Sequence, residues 1–206
     1  MQSAYQGLQG VNSNSQTEEH IDNPTSKSAA LPEGVTCESD ADERQWYAVK
    51  TYSHREFVVA KSLAAQKIEH FLPTIPEKRR WSDRMKTIWV PLFRNYLFAC
   101  VDPLEEDFWQ VLNTRGVTRI LGNDDGPIAI AAKEIEAVVQ ILESKMAVKL
   151  SDGFRKGQHV RIVSGPLKGT EGFFVRANGK KCLAVHVELL GQSVLAEVDE
   201  NNVEPC

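Results

Sequence analysis

The stretch PLFRNYLFACV, at residues 91–101, carries apolar side chains at most of its positions. Alternate residues of a β-strand point to opposite faces of the sheet, and here both faces are apolar. The two sets are Tyr96, Phe98 and Cys100 on one face, and Leu97, Ala99 and Val101 on the other. Helices must cover one face, and the other needs either further helices or a partner. We therefore predict that residues 95–101 form a central strand.

Helix and strand patterns surround this strand in a regular order. The run WYAVKTY, which starts at Trp46, alternates as a strand does, and residues 54–66 are compatible with a helix. Strand-like runs also lie at residues 70–75 and 117–121. Two apolar stripes have helical spacing: Leu104, Phe108, Val111 and Leu112, then Ile135, Val138, Val139 and Leu142. The order βαββαβα predicts an α+β sandwich in which helices cover an antiparallel sheet.

The sequence changes character after Glu143. Apolar and polar residues alternate through residues 160–196, without a helical stripe, and glycines mark turns at positions 165, 179 and 191. Short strands at this spacing predict a small closed or nearly closed β-barrel. The predicted organisation is a disordered acidic tail, an α+β domain, a linker and a barrel, at residues 1–43, 44–146, 147–153 and 154–206.

Charge is segregated along the chain, although the net charge is only -4. Residues 1–43 carry one base and eight acids, residues 44–101 carry eleven bases and four acids, and the remainder carries twelve bases and sixteen acids. Because phosphates attract Lys and Arg regardless of sequence, the basic middle segment indicates a polyanionic partner. The alternative is a basic face that is merely solvated.

The sequence offers little for catalysis. The five histidines and four cysteines lack metal-ligand spacing, and no phosphate-binding loop or nucleophile motif is present. Asp124 and Asp125 precede a Gly-Pro pair, which is typical of a turn. We therefore expect no enzyme activity, metal or cofactor, and we interpret the cysteines as reduced thiols. The chain also lacks a signal-peptide pattern and an apolar run of about 20 residues, so we expect a cytoplasmic monomer without a membrane partner.

One run in the barrel is punctuated by glycines. This run, KGQHVRIVSGPLKGTEG at residues 156–172, resembles the KOW motif of transcription elongation factors and several ribosomal proteins. The resemblance implies an SH3-like barrel that binds protein or RNA. The expected partner-binding loop comprises Gly165, Pro166, Leu167, Lys168 and Gly169. Leu167 either contacts a partner at the loop tip or folds back to plug the barrel.

The upstream domain distinguishes between the KOW families. Three motifs resemble the N-terminal (NGN) domain of the NusG family in order and spacing: WYAV at residues 46–49, PLFRNYLF at 91–98 and TRGV at 114–117. The second and third are closer to specialised paralogues such as RfaH and the UpxY-type antiterminators, although Arg94 stands where those relatives often carry Pro. The resemblance covers about residues 45–205.

Two binding surfaces are expected in the N-terminal domain. Aromatic enrichment around the central strand is typical of an interface hot spot. The resemblance implies that its partner is the clamp-helix region of RNA polymerase, with Phe93, Tyr96 and Phe98 as anchors. Exposed non-template or upstream DNA is the expected nucleic-acid ligand. Its predicted contacts are Tyr52, His54, Arg55, Arg79, Arg80, Arg84, Lys86 and Arg115, with Trp81 as a further stacking residue.

These features predict a NusG-type factor that binds RNA polymerase and suppresses pausing and termination, as a specialised, operon-targeted paralogue. In NusG, the corresponding barrel contacts a small ribosomal protein or the termination factor Rho. The alternative is a ribosome-associated or general RNA-binding KOW protein whose barrel is the main binding module.

Overall fold

The computed structural model describes residues 44–81, 84–152, 157–177 and 179–206. The acidic tail predicted at residues 1–43 lies outside the described residues.

The N-terminal module is built on a five-stranded antiparallel sheet. Its strands follow the order β2-β5-β1-β6, and β9 also pairs with β1. The elements in chain order are β1 Gln45–Thr51, α1 Glu56–Ala65, β2 His70–Phe71, β3 Thr74–Arg80, β4 Met85–Pro91, β5 Tyr96–Val101, α2 Glu106–Asn113, β6 Val117–Ile120, β7 Gly122–Asn123, β8 Gly126–Pro127, β9 Ala129–Ile130 and α3 Ala132–Glu143. The turn predicted at Asp124 and Asp125 joins β7 to β8.

Both faces of the central strand β5 are covered by the chain itself. Phe98 packs with Trp46 in a core that includes Ile135 of α3. Leu97 lies in a second core, with Val59 of α1 and further residues of α1 and α2. The apolar alternation therefore places β5 correctly, and the structure shows intramolecular coverage of both faces.

Three of the four cysteines lie among the described residues. Cys182 and Cys206 carry free thiols, as expected. Cys100 is fully buried in β5.

Strands β3 and β4 form a separate two-stranded hairpin, called the arm below. Their register runs from Thr74 opposite Pro91 to Arg80 opposite Met85. The two strands pair with each other and join neither larger sheet in the described part of the chain. Ile75, at the base of the arm, packs against the core of the sandwich.

The C-terminal module is an antiparallel sheet with the order β10-β14-β13-β12-β11-β15. Its elements are β10 Val148–Asp152, β11 Gln158–Ile162, β12 Glu171–Ala177, β13 Lys180–Val187, β14 Gln192–Glu197 and β15 Val203–Pro205, with 3₁₀ turns at Glu188–Leu190 and Glu200–Asn202. An α+β fold followed by a β-rich domain is thus confirmed. The linker expected at residues 147–153 is wrong in detail, because β10 pairs with β14 and belongs to this sheet.

Helix α3 is also the contact surface for the second module. Its buried residues share a hydrophobic core with Val185 of β13. Thr170 donates a hydrogen bond to the side-chain oxygen of Gln140, and the Glu188 backbone N–H donates to the Glu134 carboxylate over 3.1 Å. The β-barrel therefore contacts the sandwich through α3.

Candidate nucleic-acid and partner interfaces

Four of the predicted nucleic-acid contacts meet at one end of the N-terminal sheet. The Tyr52 backbone N–H donates to the Gly116 carbonyl over 2.9 Å, and the Arg55 N–H donates to the Tyr52 carbonyl over 3.1 Å. Arg115 directly precedes Gly116, and the side chains of Tyr52, His54, Arg55 and Arg115 are all exposed. These four residues, called the basic edge below, bring together two segments about sixty positions apart in sequence.

Unusual backbone angles shape the basic edge. His54 has a φ of 62°, Asn95 a φ of 66° and Gly116 a φ of 108°. The Asn95 N–H donates to the buried Glu56 carboxylate over 2.8 Å, and the Thr51 N–H donates to the Asn95 carbonyl over 2.8 Å. Non-glycine residues with positive φ are uncommon, so these hydrogen bonds help to hold the turn before β5 against β1 and α1.

The other predicted bases lie on the arm. Arg79, Arg80, Arg84 and Lys86 are all exposed. Arg79 donates to the Glu77 carboxylate over 3.0 Å, while the Lys86 ammonium lies 5.3 Å from the centre of the Trp81 ring. His54 and Arg79 line one open cleft of about 830 Å³, so the basic edge and the arm flank a common cleft.

The predicted aromatic patch is largely internal. Phe93 and Phe98 are 0% exposed, and their rings make an edge-to-face contact with centroids 5.6 Å apart. Tyr96 is half-buried. The expectation of an exposed patch containing all three residues is therefore wrong for Phe93 and Phe98, because both lie in the buried core that also contains residues of α3. Tyr96 is the member that reaches the surface.

The glycine-punctuated loop in the barrel is a tight turn. Gly165 and Gly169 have φ values of 86° and 90°, and the Gly169 N–H donates to the Ile162 carbonyl over 2.8 Å. Gly165, Pro166, Lys168 and Gly169 are exposed. Leu167 is only 2% exposed and lies in the hydrophobic core, so the loop folds this side chain inward rather than presenting it to a partner.

Sequence reasoning missed three exposed residues near these sites. Lys78 and Trp89 lie on the arm, and Arg94 lines the cleft beside Asn95. The alternation of side chains in a hairpin could have identified Lys78 and Trp89, but the register of the two strands was needed to see it.

The histidines of the barrel have ordinary surroundings. Among the described residues, the His, Cys, Asp and Glu side chains form no group of three or more that could hold a metal ion. His159 contacts the ring of Phe173, and the Nδ1 atom of His186 lies 2.9 Å from Ser193 Oγ. Within the same residues, none of the helices has the length and apolar character needed to cross a bilayer.

Comparison with known proteins identifies relatives of this chain. A family model described as "Transcription termination factor nusG" matches residues 44–139. The transcription termination/antitermination protein NusG of Campylobacter jejuni is 24% identical over 170 residues, which cover 78% of this chain and 96% of that protein. The protein of the same name from Thermus thermophilus is 28% identical over 180 residues, covering 77% and 97%.

One solved structure has a lower similarity. The structure titled "Domain interaction in Thermotoga maritima NusG" matches with a TM-score of 0.48 and 21% sequence identity. The match covers 79% of this chain and 97% of the chain in that structure. The family match spans nearly all of the α+β module, and the curated relatives align over almost their entire lengths. The resemblance inferred from the three N-terminal motifs is thus confirmed for the α+β module, in which residues 44–139 match the NusG family model.

Proposed function

We propose that this chain is a transcription elongation factor that binds RNA polymerase and suppresses pausing and termination. The observation that carries the proposal is that the module matched by the family model also gathers the exposed bases of the basic edge and the arm. The mechanism is differential binding. A factor with higher affinity for the elongating form of polymerase than for the paused form shifts the population toward elongation.

The proposed polymerase-binding surface is centred on Tyr96. Its clamp-helix partner is carried over from the resemblance of residues 91–98 to the family motif. Since Phe93 and Phe98 are enclosed in the core, their role is to support the strand and turn that present Tyr96. The exposed Arg94 is adjacent to this surface and adds a positive charge.

Non-template or upstream DNA is the proposed ligand of the basic edge and the arm. His54, Arg55 and Arg115 provide positive or hydrogen-bonding groups at the sheet end, and Tyr52, which is 63% exposed, offers a ring for stacking. On the arm, Arg79 lines the other side of the cleft, and three further exposed bases add positive charge nearby: Arg80, Arg84 and Lys86.

The barrel is the proposed adaptor for a second partner, a small ribosomal protein or Rho. The exposed positions of its loop, Gly165, Pro166, Lys168 and Gly169, form the proposed contact, while Leu167 supports the loop from within. The sequence motifs at residues 91–98 and 114–117 support a specialised, operon-targeted role rather than a housekeeping one.

In vitro transcription with the cognate polymerase tests the proposal. Wild-type chain should shorten pause lifetimes, and Tyr96→Ala should weaken polymerase binding by about 30-fold, as expected for a hot-spot aromatic. Tyr52→Ala, at another exposed aromatic, is the matched control and should preserve polymerase affinity in the absence of DNA. Recovery of ribosomal subunits without polymerase in a pull-down would favour the ribosome-associated alternative instead.

A further inference from the structure

The exposed bases of the arm and the basic edge have few carboxylates of their own. Seven Lys and Arg side chains are exposed on these two surfaces: Arg55, Lys78, Arg79, Arg80, Arg84, Lys86 and Arg115. Of these seven, only Arg79 has an ion-pair partner among the described residues, and that partner is Glu77 at 3.0 Å. The barrel differs, because Arg161, Lys180 and Lys181 each pair with a glutamate. The two surfaces therefore keep positive charge that their described neighbours leave uncompensated.

The opposite charge lies in the acidic tail of the same chain. Residues 1–43 carry eight acids and one base, a balance of -7, whereas residues 44–101 carry eleven bases and four acids, a balance of +7. Opposite charges attract more strongly when one chain holds both, because a tether raises the effective concentration of one partner near the other, typically into the millimolar range. The acidic tail is therefore a polyanion that is always available to the basic surfaces.

The point where the acidic tail joins the sheet decides which of its acids can reach these surfaces. Arg44 pairs with Asp107 just before β1, and Tyr52 of the basic edge follows the other end of that strand, about 20 Å away. An extended chain spans about 3.3 Å per residue, so the four acids at residues 38–43 stay within about 20 Å of Arg44. Four more distant acids have the reach to cover both surfaces: Glu18, Glu19, Asp22 and Glu33.

We propose that the acidic tail docks on the basic edge and the arm of its own chain, with the four distant carboxylates against the uncompensated bases. The cleft of about 830 Å³ between these surfaces offers space for an extended segment, and His54, Arg79 and Arg94 line it. Because phosphates are attracted to the same bases, the docked tail competes with nucleic acid and lowers its apparent affinity. That competition rests on the proposed function, whereas the docking itself does not.

Carbodiimide crosslinking of the full chain tests the docking without DNA. The reagent joins a carboxylate to an amine only where the two groups touch. At low salt, mass spectrometry of the monomer fraction should find bonds from the acidic tail to Lys78 or Lys86. Lys133 and Lys168 are also exposed and are the matched controls, which should remain unlinked to the tail. Bonds spread equally over all four lysines, or bonds confined to a dimer fraction, would overturn the proposal; the second result would place the tail on another copy of the chain.

Fluorescence anisotropy with a labelled oligo(dT) measures the competition. A distant-acid variant loses four charges through Glu18→Gln, Glu19→Gln, Asp22→Asn and Glu33→Gln. It should bind oligo(dT) about fivefold more tightly than wild type at low salt, because more of its basic surface is free. The gain should shrink as salt screens the tail from the bases. A control variant loses the same charge at exposed positions of the sandwich, through Glu105→Gln, Glu106→Gln, Asp124→Asn and Asp125→Asn. An equal gain in this control would show that net charge, rather than docking, sets the affinity.

A parallel pause assay separates this inference from the proposed function. If the tail forms bonds to Lys78 or Lys86 but the chain neither binds oligo(dT) nor shortens pauses, the docking stands and the elongation role fails. If wild-type chain shortens pauses, the tail forms no such bonds, and the distant-acid variant binds oligo(dT) with wild-type affinity, the docking is wrong and the elongation role stands.

Discussion

At the scale of single residues, the basic edge depends on backbone conformations that most side chains disfavour. Gly116 has a φ of 108°, and a Cβ placed on it would lie 2.9 Å from Val59 Cγ2 and 3.4 Å from Arg55 Cβ. The position therefore requires glycine both for its dihedral angle and for the close approach of α1. The geometry links Arg115 to Arg55 across the end of the sheet.

Replacing Gly116 with Ala should destabilise the chain by about 1–3 kcal/mol, because the new methyl group adds a clash to a strained dihedral angle. Urea unfolding measures the change. Gly179→Ala is the matched control, since Gly179 has a φ of 77° but nothing within 4 Å of an added Cβ. A Gly116→Ala loss no larger than that of Gly179→Ala would show that the contact with Val59 is unimportant.

Glu56 is a second residue whose role is structural. Its side chain is 5% exposed and accepts the Asn95 N–H over 2.8 Å. Glu56→Ala should cost about 1–3 kcal/mol in the free energy of unfolding, because the partly buried Asn95 N–H loses its acceptor. Glu56→Gln retains an oxygen acceptor and should cost less. Equal costs for the two variants would argue against the hydrogen bond as the source of the stabilisation.

At the scale of elements, helix α3 has two partners at once. Ile135 and Val138 are fully buried and lie in the core shared with the sheet, while Glu134 and Gln140 bind the barrel. Burial raises the pKa of Glu134, the hydrogen bond from the Glu188 N–H opposes that rise, and the Glu188 carboxylate adds to it. Glu134 therefore holds its proton more tightly at this contact than an exposed glutamate does.

The stability of the chain should depend on pH through Glu134. Its pKa is higher in the folded chain than its usual value of 4.5, so the folded state binds the proton more tightly than the unfolded state. This contribution is present below the unfolded pKa and is lost as pH rises through the folded value. As pH rises through that window, the wild type should therefore lose unfolding free energy relative to Glu134→Gln, whose side chain does not ionise. Glu136→Gln, the same change on the same helix, provides the comparison; equal pH profiles for both variants would contradict the account.

Elements were easier to predict from sequence than exposure. The alternation in residues 95–101 identifies the central strand because local periodicity reports directly on burial. Leu167 and Phe93 are different, since their burial depends on contacts with residues distant in sequence. The sequence also could not show which side chains of the arm share a face, because a shift of one residue in the register of β3 and β4 would exchange its two faces.

At the scale of the whole molecule, the barrel keeps its β-structure while it contacts the sandwich. Its six strands form a continuous antiparallel sheet, and within the described residues of this module only two short 3₁₀ turns are helical. Part of its core, including Leu195 and Ala184, is separate from the core that it shares with α3. The module thus has its own packing as well as a docking surface.

The isolated fragment of residues 147–206 should therefore give a far-UV circular dichroism spectrum typical of β-structure. Subtracting it from the spectrum of the full chain should leave the helical signal of the sandwich. A helical spectrum for the isolated fragment would show that docking on α3 selects the β form. A barrel core that is sufficient by itself predicts cooperative thermal unfolding of the fragment.

The most direct measurement is the lifetime of cognate polymerase at a defined pause site, with and without saturating full-length chain. Binding that favours the elongating form predicts a shorter pause with wild type, and a lifetime close to that of polymerase alone when the Tyr96→Ala variant is used at the same concentration. An unchanged pause lifetime with wild-type chain, under conditions in which the chain is shown to bind polymerase, would contradict the account.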